Sequence, residues 1–343
     1  MVNIDDLKTE AKRVLKGGNV KYIIGYGRAS DTWKANPVFL RSPEDVDKLV
    51  WDPTCFHNLV RFLVDEKRRK AKEKPPDPRP VGIVAKGCDS RAIVVLLQEK
   101  FFERMDVFVL GVSCESTGMI DERKLAGKTA GKDVRRVAFG EDQKFVVETD
   151  AGTLEIAASE VLADRCLDCI ANVPVISDHL LGDQTKRTVA NPFRAVEKME
   201  SLSGDDRWSF WKDQFEKCIR CYACRSACPM CYCEECVVDT INFAVTAETS
   251  AEEKAQRIKW LEKSPVGSEN VFYHLVRAIH LAGRCIDCGE CERACPVNIP
   301  LRMLNKKLEK EAKELFGYDA GFDADQPALI SCFRDGDPED FIR

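Results

Sequence analysis

Seven cysteines fall within the twenty residues KCIRCYACRSACPMCYCEEC, Lys217 to Cys236. Four of them, Cys218, Cys221, Cys224 and Cys228, follow the spacing C-x2-C-x2-C-x3-C and are trailed by Pro229. The same string returns at Cys285, Cys288, Cys291 and Cys295, before Pro296. Three thiols spaced this way can wrap one compact inorganic group while the backbone amides between them turn toward its sulfides. The fourth thiol begins a new direction of chain, and the proline ends the loop. Iron–sulfur cubanes need such a cage; a pair of four-cysteine zinc sites is the competing reading. Two complete copies with trailing prolines favour iron.

The chain has 343 residues, 17 cysteines and only four histidines. No C-x2-C pair is followed by a zinc-type histidine pair, and nothing suggests export to an oxidising compartment, so disulfides are not expected. A net charge of −5 argues against a nucleic-acid partner. Met1 leads into VNIDDLKTEAKRVLKGG, a polar amphipathic helix with no apolar signal region. The longest apolar runs, such as AIVVLL at 92–97, are too short to span a bilayer. A cytoplasmic protein without a membrane span is expected. No Walker-type phosphate loop, nucleophile–base motif or general acid–base constellation is visible.

The doubled string resembles the two-cluster bacterial ferredoxins, in which the fourth cysteine of each run ligates the other cluster. That resemblance implies one [4Fe–4S] cage of Cys218, Cys221, Cys224 and Cys295, and a second of Cys285, Cys288, Cys291 and Cys228. The intervening stretch is longer than a minimal ferredoxin needs. It shows helical periodicity at 251–264 and 269–283, with Gly283 expected to cap the second helix. HLAGRCIDCGECERACPVNIPL (280–301) resembles the α-helical ferredoxins of fumarate reductase iron–sulfur subunits and of the C subunit of heterodisulfide reductase. His274 and His280 on that helix are expected to be structural. Trp208 and Trp211 precede the first motif and are expected to shield a cluster or meet a partner.

Residues 1–185 have an α/β pattern. NVKYIIGY (19–26) suggests a strand, 42–50 and 54–70 suggest helices, and AKEKPPDPRP (71–80) a linker. A βαβ unit follows, with strand 81–85, helix 90–102 and strand 107–112. Cys88 and Cys114 then lie at the carboxyl edge of one parallel sheet, where such folds bind ligands. A meander over 133–162 leads to Cys166 and Cys169 in DRCLDC, which complete a four-thiolate set.

The order KGCD, LGVSCE, then CLDCIANVPVISDHLLGD resembles the β-subunit family of deazaflavin-coenzyme (F-420) hydrogenases and dehydrogenases. The resemblance implies that Cys88, Cys114, Cys166 and Cys169 hold a third [4Fe–4S] cluster, with FAD as a further cofactor beside it. KGCD lacks the proline expected before the cysteine, and only GYGRAS (25–30) suggests a phosphate cradle. Five cysteines remain: Cys55, Cys231, Cys233, Cys236 and Cys332. Cys231, Cys233 and Cys236 could build a fourth cluster with Cys55, or less well with Cys332; ordinary packed thiols are the alternative.

The expected fold class is an α/β N-terminal domain (1–185), a linker (186–210), a mainly α-helical two-cluster ferredoxin domain (211–310) and an acidic tail (311–343). The expected function is electron relay within an anaerobic redox complex whose partner is a hydrogenase, a formate dehydrogenase or a heterodisulfide-reductase-like flavoprotein. The alternative is an FAD-containing oxidoreductase subunit that acts on a soluble deazaflavin-like or nicotinamide coenzyme.

Overall fold

The computed structural model describes residues 2–28, 33–114, 118–234, 236, 238, 250, 252 and 264–332. The helix expected over 251–264 therefore lies outside the described residues, apart from its margins. The chain divides into two units, Met1–Pro192 with Ala320–Ala328, and Phe193–Asp319 with Leu329–Arg343.

The first unit contains the helices α1 (Ile4–Lys16), α2 (Val60–Lys70), α3 (Gly87–Gln98), α4 (Glu122–Thr129), α5 (Ala158–Val161) and α6 (Asp164–Leu167). Its strands are β1 (Ile23–Arg28), β2 (Ala35–Leu40), β3 (Val81–Ala85), β4 (Val107–Val112), β5 (Val134–Phe139), β6 (Lys144–Thr149), β7 (Gly152–Ala157) and β8 (His179–Leu181). One sheet runs β2-β1-β3-β4-β8, parallel except for the edge strand β2. The second is the antiparallel meander β5-β6-β7. β3 is buried at all five positions, as a parallel strand covered on both faces must be, which explains its unbroken apolar run. Ala85 pairs with Gly111, so β3 and β4 end level and deliver Cys88 and Cys114 to the same edge.

Two helix starts differ from the sequence-based expectation. The helix expected from residue 54 begins at Val60, because Asp52 makes a turn instead of a cap: its carboxylate accepts from Thr54 N at 2.8 Å and Thr54 Oγ1 at 2.5 Å and binds Arg28. Cys55 lies within that turn, not at a helix start. α3 begins at Gly87, three residues early, since Asp89 folds back to accept from Lys86 N at 2.9 Å. Cys88 therefore stands in the first helical turn.

The described elements of the second unit are all helical: α7 (Arg194–Glu200), α8 (Gly204–Glu216), α9 (Ala223–Ser226), α10 (Gly267–His280), α11 (Glu290–Arg293) and α12 (Leu301–Phe316). Gly283 has a φ of +65° but lies two residues beyond the α10 cap at Leu281. α12 runs through residue 311, where the tail was expected to start. Residues Ala320–Ala328 then join the first unit, where Arg91 Nε donates to the Ala320 carbonyl at 2.9 Å and Gln98 Nε2 to those of Asp323 and Gln326. Among the described residues, no helix is long and apolar enough to cross a membrane.

Candidate metal centres

The two cysteine strings of the second unit adopt the same backbone. Arg220 and Tyr222 in the first, and Asp287 and Gly289 in the second, hold equivalent positions and all have positive φ. A short helix follows each, α9 or α11, carrying Cys224 or Cys291. Left-handed residues at two of the intervening positions turn the loop around a centre, which is the shape the spacing demands.

Cys228 leaves its own string and lines one cavity with Cys285, Cys288 and Cys291. Cys295 crosses in the opposite sense. It packs in the core with Cys218, Cys224 and Cys291 and lies within electrostatic reach of Cys218. Cys218, Cys224, Cys228, Cys288, Cys291 and Cys295 are all at most 9% exposed, whereas Cys221 stands at the surface. Burial pushes the Cys285 and Cys291 thiols up to about 12, so neither ionises there without a cation to take up the charge.

Each string is clamped by a helix whose polar residues recur at helical spacing. From α10, Asn270 Nδ2 donates to the carbonyls of Phe215 at 3.0 Å and Cys218 at 2.9 Å, and its oxygen accepts from Arg220 Nε at 2.8 Å. One turn on, the Tyr273 hydroxyl meets Cys224 Sγ at 3.4 Å; a turn beyond that, Arg277 Nη2 donates to the Cys224 carbonyl at 2.9 Å. From α12, Asn305 Nδ2 donates to Cys291 Sγ at 3.7 Å, while Arg302 and Lys306 grip Asp287 at 2.6 and 3.0 Å. Donors aimed at ligand sulfurs and their carbonyls orient a cage and tune it. Sequence reading missed these groups. Their signal was a polar residue every third or fourth position along one face of each helix.

Asn270 is fully buried and serves two carbonyls that no solvent can reach. Asn270→Ala is expected to destabilise this unit by ~1–3 kcal/mol, the cost of orphaning buried polar groups. Denaturant titration of the iron-loaded chain measures it, and an unchanged midpoint would remove Asn270 from the support of the first string.

His274 is 2% exposed and stacks on Phe215 with ring centroids 4.8 Å apart, and burial beside Arg277 and Arg220 lowers its pKa to about 3. It is a core residue. Trp211 stacks on Phe215 and packs against the cysteine core, but Trp208 is exposed, so only the first has the shielding position.

In the first unit, Cys114 lies within electrostatic reach of Cys88, Cys166 and Cys169, so all four expected thiols meet at the sheet edge. Burial raises Cys114 far above the ordinary thiol range and pushes Cys88 up to about 12, against the pull of Lys86 and, for Cys88, of Arg165 as well. Amides face the sulfurs: Met119 N donates to Cys166 Sγ and Ala171 N to Cys169 Sγ, both at 3.4 Å. Gly118 has a φ of +70°, and a Cβ there would stand 2.8 Å from Cys166 Cβ. A Cβ on Gly87 would come 1.7 Å from the Ala171 carbonyl oxygen, so the glycine before Cys88 admits the loop that carries Cys169. This close approach is the physical need met at the position where proline was expected.

Lys86 is 1% exposed. Its ammonium lies 3.0 Å from Asp89, donates to the His57 carbonyl at 2.8 Å, bonds Tyr26 Oη and sits 4.5 Å from the Tyr26 ring centroid. Burial would strip its proton, but Asp89, Cys88 and Cys114 outweigh that and hold it charged. Arg165 is also buried and bonds the Phe56 carbonyl. A half-buried four-thiol set flanked by two buried cations and sulfur-directed amides suits an anionic iron–sulfur cage.

Among the described residues, no three or more His, Cys, Asp or Glu side chains close to the spacing of a single bound ion. A cubane's four thiolates bind four different irons and stand wider apart. Among the remaining cysteines, Cys55 is fully buried, accepts from Asp52 N and donates to the Val50 carbonyl. Its electrostatic neighbours are Asp52, Lys86 and Arg28. Cys231 donates its backbone N–H to the Cys228 carbonyl at 3.2 Å, Cys236 packs against the cysteine core of the second unit, and Cys233 and Cys332 are exposed. GYGR of the suggested phosphate cradle is strand β1, not a turn, and Arg28 is taken up by Asp52.

Comparison with known proteins accords with this geometry. Residues 214–299 match the model of the 4Fe-4S dicluster domain. The F420-dependent formate dehydrogenase subunit beta of Methanocaldococcus jannaschii is 22% identical, covering 91% of this chain and 90% of that protein. The F420-dependent formate dehydrogenase 1 subunit beta of Methanococcus maripaludis is 23% identical, covering 93% and 91%. The structure of the F420-reducing [NiFe] hydrogenase complex from Methanosarcina barkeri aligns at 19% identity over 50% of this chain and 61% of that chain. Its TM-score of 0.38 is too low to bear on the fold. This chain is thus an iron–sulfur electron-transfer protein that resembles, over nine-tenths of its length, the beta subunits of F420-dependent formate dehydrogenases.

Proposed function

We propose that the chain relays electrons through three [4Fe–4S] clusters inside an anaerobic redox complex. Its N-terminal α/β unit carries the cluster of Cys88, Cys114, Cys166 and Cys169, and its helical unit carries the two crossed cages. The observation that carries this reading is the crossing itself. Cys228 lines the cavity of the second string while Cys295 packs in the core of the first, so the two cages share walls. Bound clusters supply one-electron chemistry; the chain sets their distance, burial and charge. In the first cage Cys221 alone reaches the surface, which makes that edge the place where an electron enters or leaves the helical unit.

The relatives named as F420-dependent formate dehydrogenase subunits support a formate dehydrogenase as the partner. They also support the second reading, that FAD bound near the N-terminal cluster exchanges electrons with a deazaflavin-like coenzyme. Iron, sulfide and flavin determination on anaerobically purified chain separates these readings. Three cubanes give about twelve irons per chain. About sixteen would add a fourth cluster built from cysteines outside these twelve. Stoichiometric flavin would favour the oxidoreductase reading, and a colourless protein rich in zinc would overturn both.

A further inference from the structure

Arg277 projects from α10 and is 4% exposed. Its Nη2 bonds the Cys224 carbonyl, its Nε has no hydrogen-bond partner, and among the described residues no carboxylate pairs with it. Two other buried cations of the unit do face carboxylates: Arg302 and Lys306 hold Asp287, and Lys306 also holds Glu309 at 2.9 Å. A buried guanidinium without an opposite charge is costly, so a negative group must stand beside it. The groups within its electrostatic reach are Cys224, Cys231, Cys291 and Cys228. Cys224 belongs to the first cage, Cys291 and Cys228 to the second.

We propose that Arg277 is the shared counter-charge of the two cages, standing between them and raising the reduction potential of both. The inference rests on the two-cage reading above. Uptake of one electron adds one negative charge to a cage, and a fixed positive charge in a poorly solvated interior stabilises the reduced form more than the oxidised form. A single cation shared by both moves the two potentials in the same direction. Arginine suits the position because its charge does not titrate. Its Cys224 hydrogen bond fixes the head group, making Arg277 a positioning and tuning residue.

The test is an anaerobic redox titration of the full chain followed by electron paramagnetic resonance, on the parent, Arg277→Gln and Arg277→Lys. Arg277→Gln is expected to shift the reduced-to-oxidised ratio of the dicluster at least tenfold toward oxidised at a given potential, a fall of about 59 mV for a one-electron couple. The signal of the N-terminal cluster should not move. Arg277→Lys, which keeps the charge, is expected to titrate close to the parent. An unshifted Arg277→Gln, or a lysine variant displaced as far as the glutamine variant, overturns the proposal. Should Arg277→Gln lose iron, Arg277→Lys decides: parental iron and potentials support the counter-charge, and loss of either refutes it. A parent without iron would instead sink the two-cage reading.

Discussion

Gly87→Ala is expected to strip the proposed N-terminal cluster from the chain while leaving the helical unit loaded. Helix propensity alone points the other way: alanine in a helix is worth about 1 kcal/mol over glycine. Sterics decide, because the new Cβ would fall 1.7 Å from the Ala171 carbonyl oxygen, a backbone atom that cannot step aside without moving the Cys169 loop. Iron content should fall by about four atoms per chain, with the resonance signals of the dicluster retained. Gly127→Ala in α4 is the control, since a Cβ there meets nothing within 4 Å and should be neutral or slightly stabilising. A Gly87→Ala chain with full iron would show that the approach of the two loops is not what that cage depends on.

Asp89→Ala is expected to be the most damaging single change outside the cysteines. It removes the acceptor of Lys86 N and Leu59 N, both at 2.9 Å, and leaves the Lys86 ammonium buried without its carboxylate. Breaking a buried pair from one side costs ~3–5 kcal/mol, a large share of the ~5–15 kcal/mol that holds a typical domain folded. Because the loss comes from the stranded charge, Lys86→Met combined with Asp89→Asn should be less damaging than Asp89→Ala alone. Thermal unfolding of the three chains tests this. A double variant as unstable as the single one would mean that the amide bonds, not the charge, dominate.

How much of this was readable beforehand differs between the two units. The β3–α3–β4 segment was legible because its apolar run and level strand ends follow from a parallel sheet, and strands 81–85 and 107–112 were expected at the positions where they occur. The starts of α2 and α3 were misplaced because aspartates 52 and 89 each satisfy amides in ways that local pattern does not distinguish. The four N-terminal cysteines that the proposal makes a cage stand out in the sequence, yet the two buried cations beside them do not. Lys86 reads as one more charged residue until the fold closes over it.

The amino-acid sequence by itself determined which thiols exist and how they are spaced. Motif spacing is local geometry, and two identical strings ending in proline leave little freedom in how each loop turns. Only the tertiary structure decided what surrounds them: that Cys228 lines the cavity of the second string while Cys295 packs with Cys218 and Cys224, that α10 and α12 each present a clamping face, and that Arg277 is buried with no acid paired to it among the described residues. Burial turns a common surface residue into a fixed charge of consequence, and burial is a property of the packed chain as a whole.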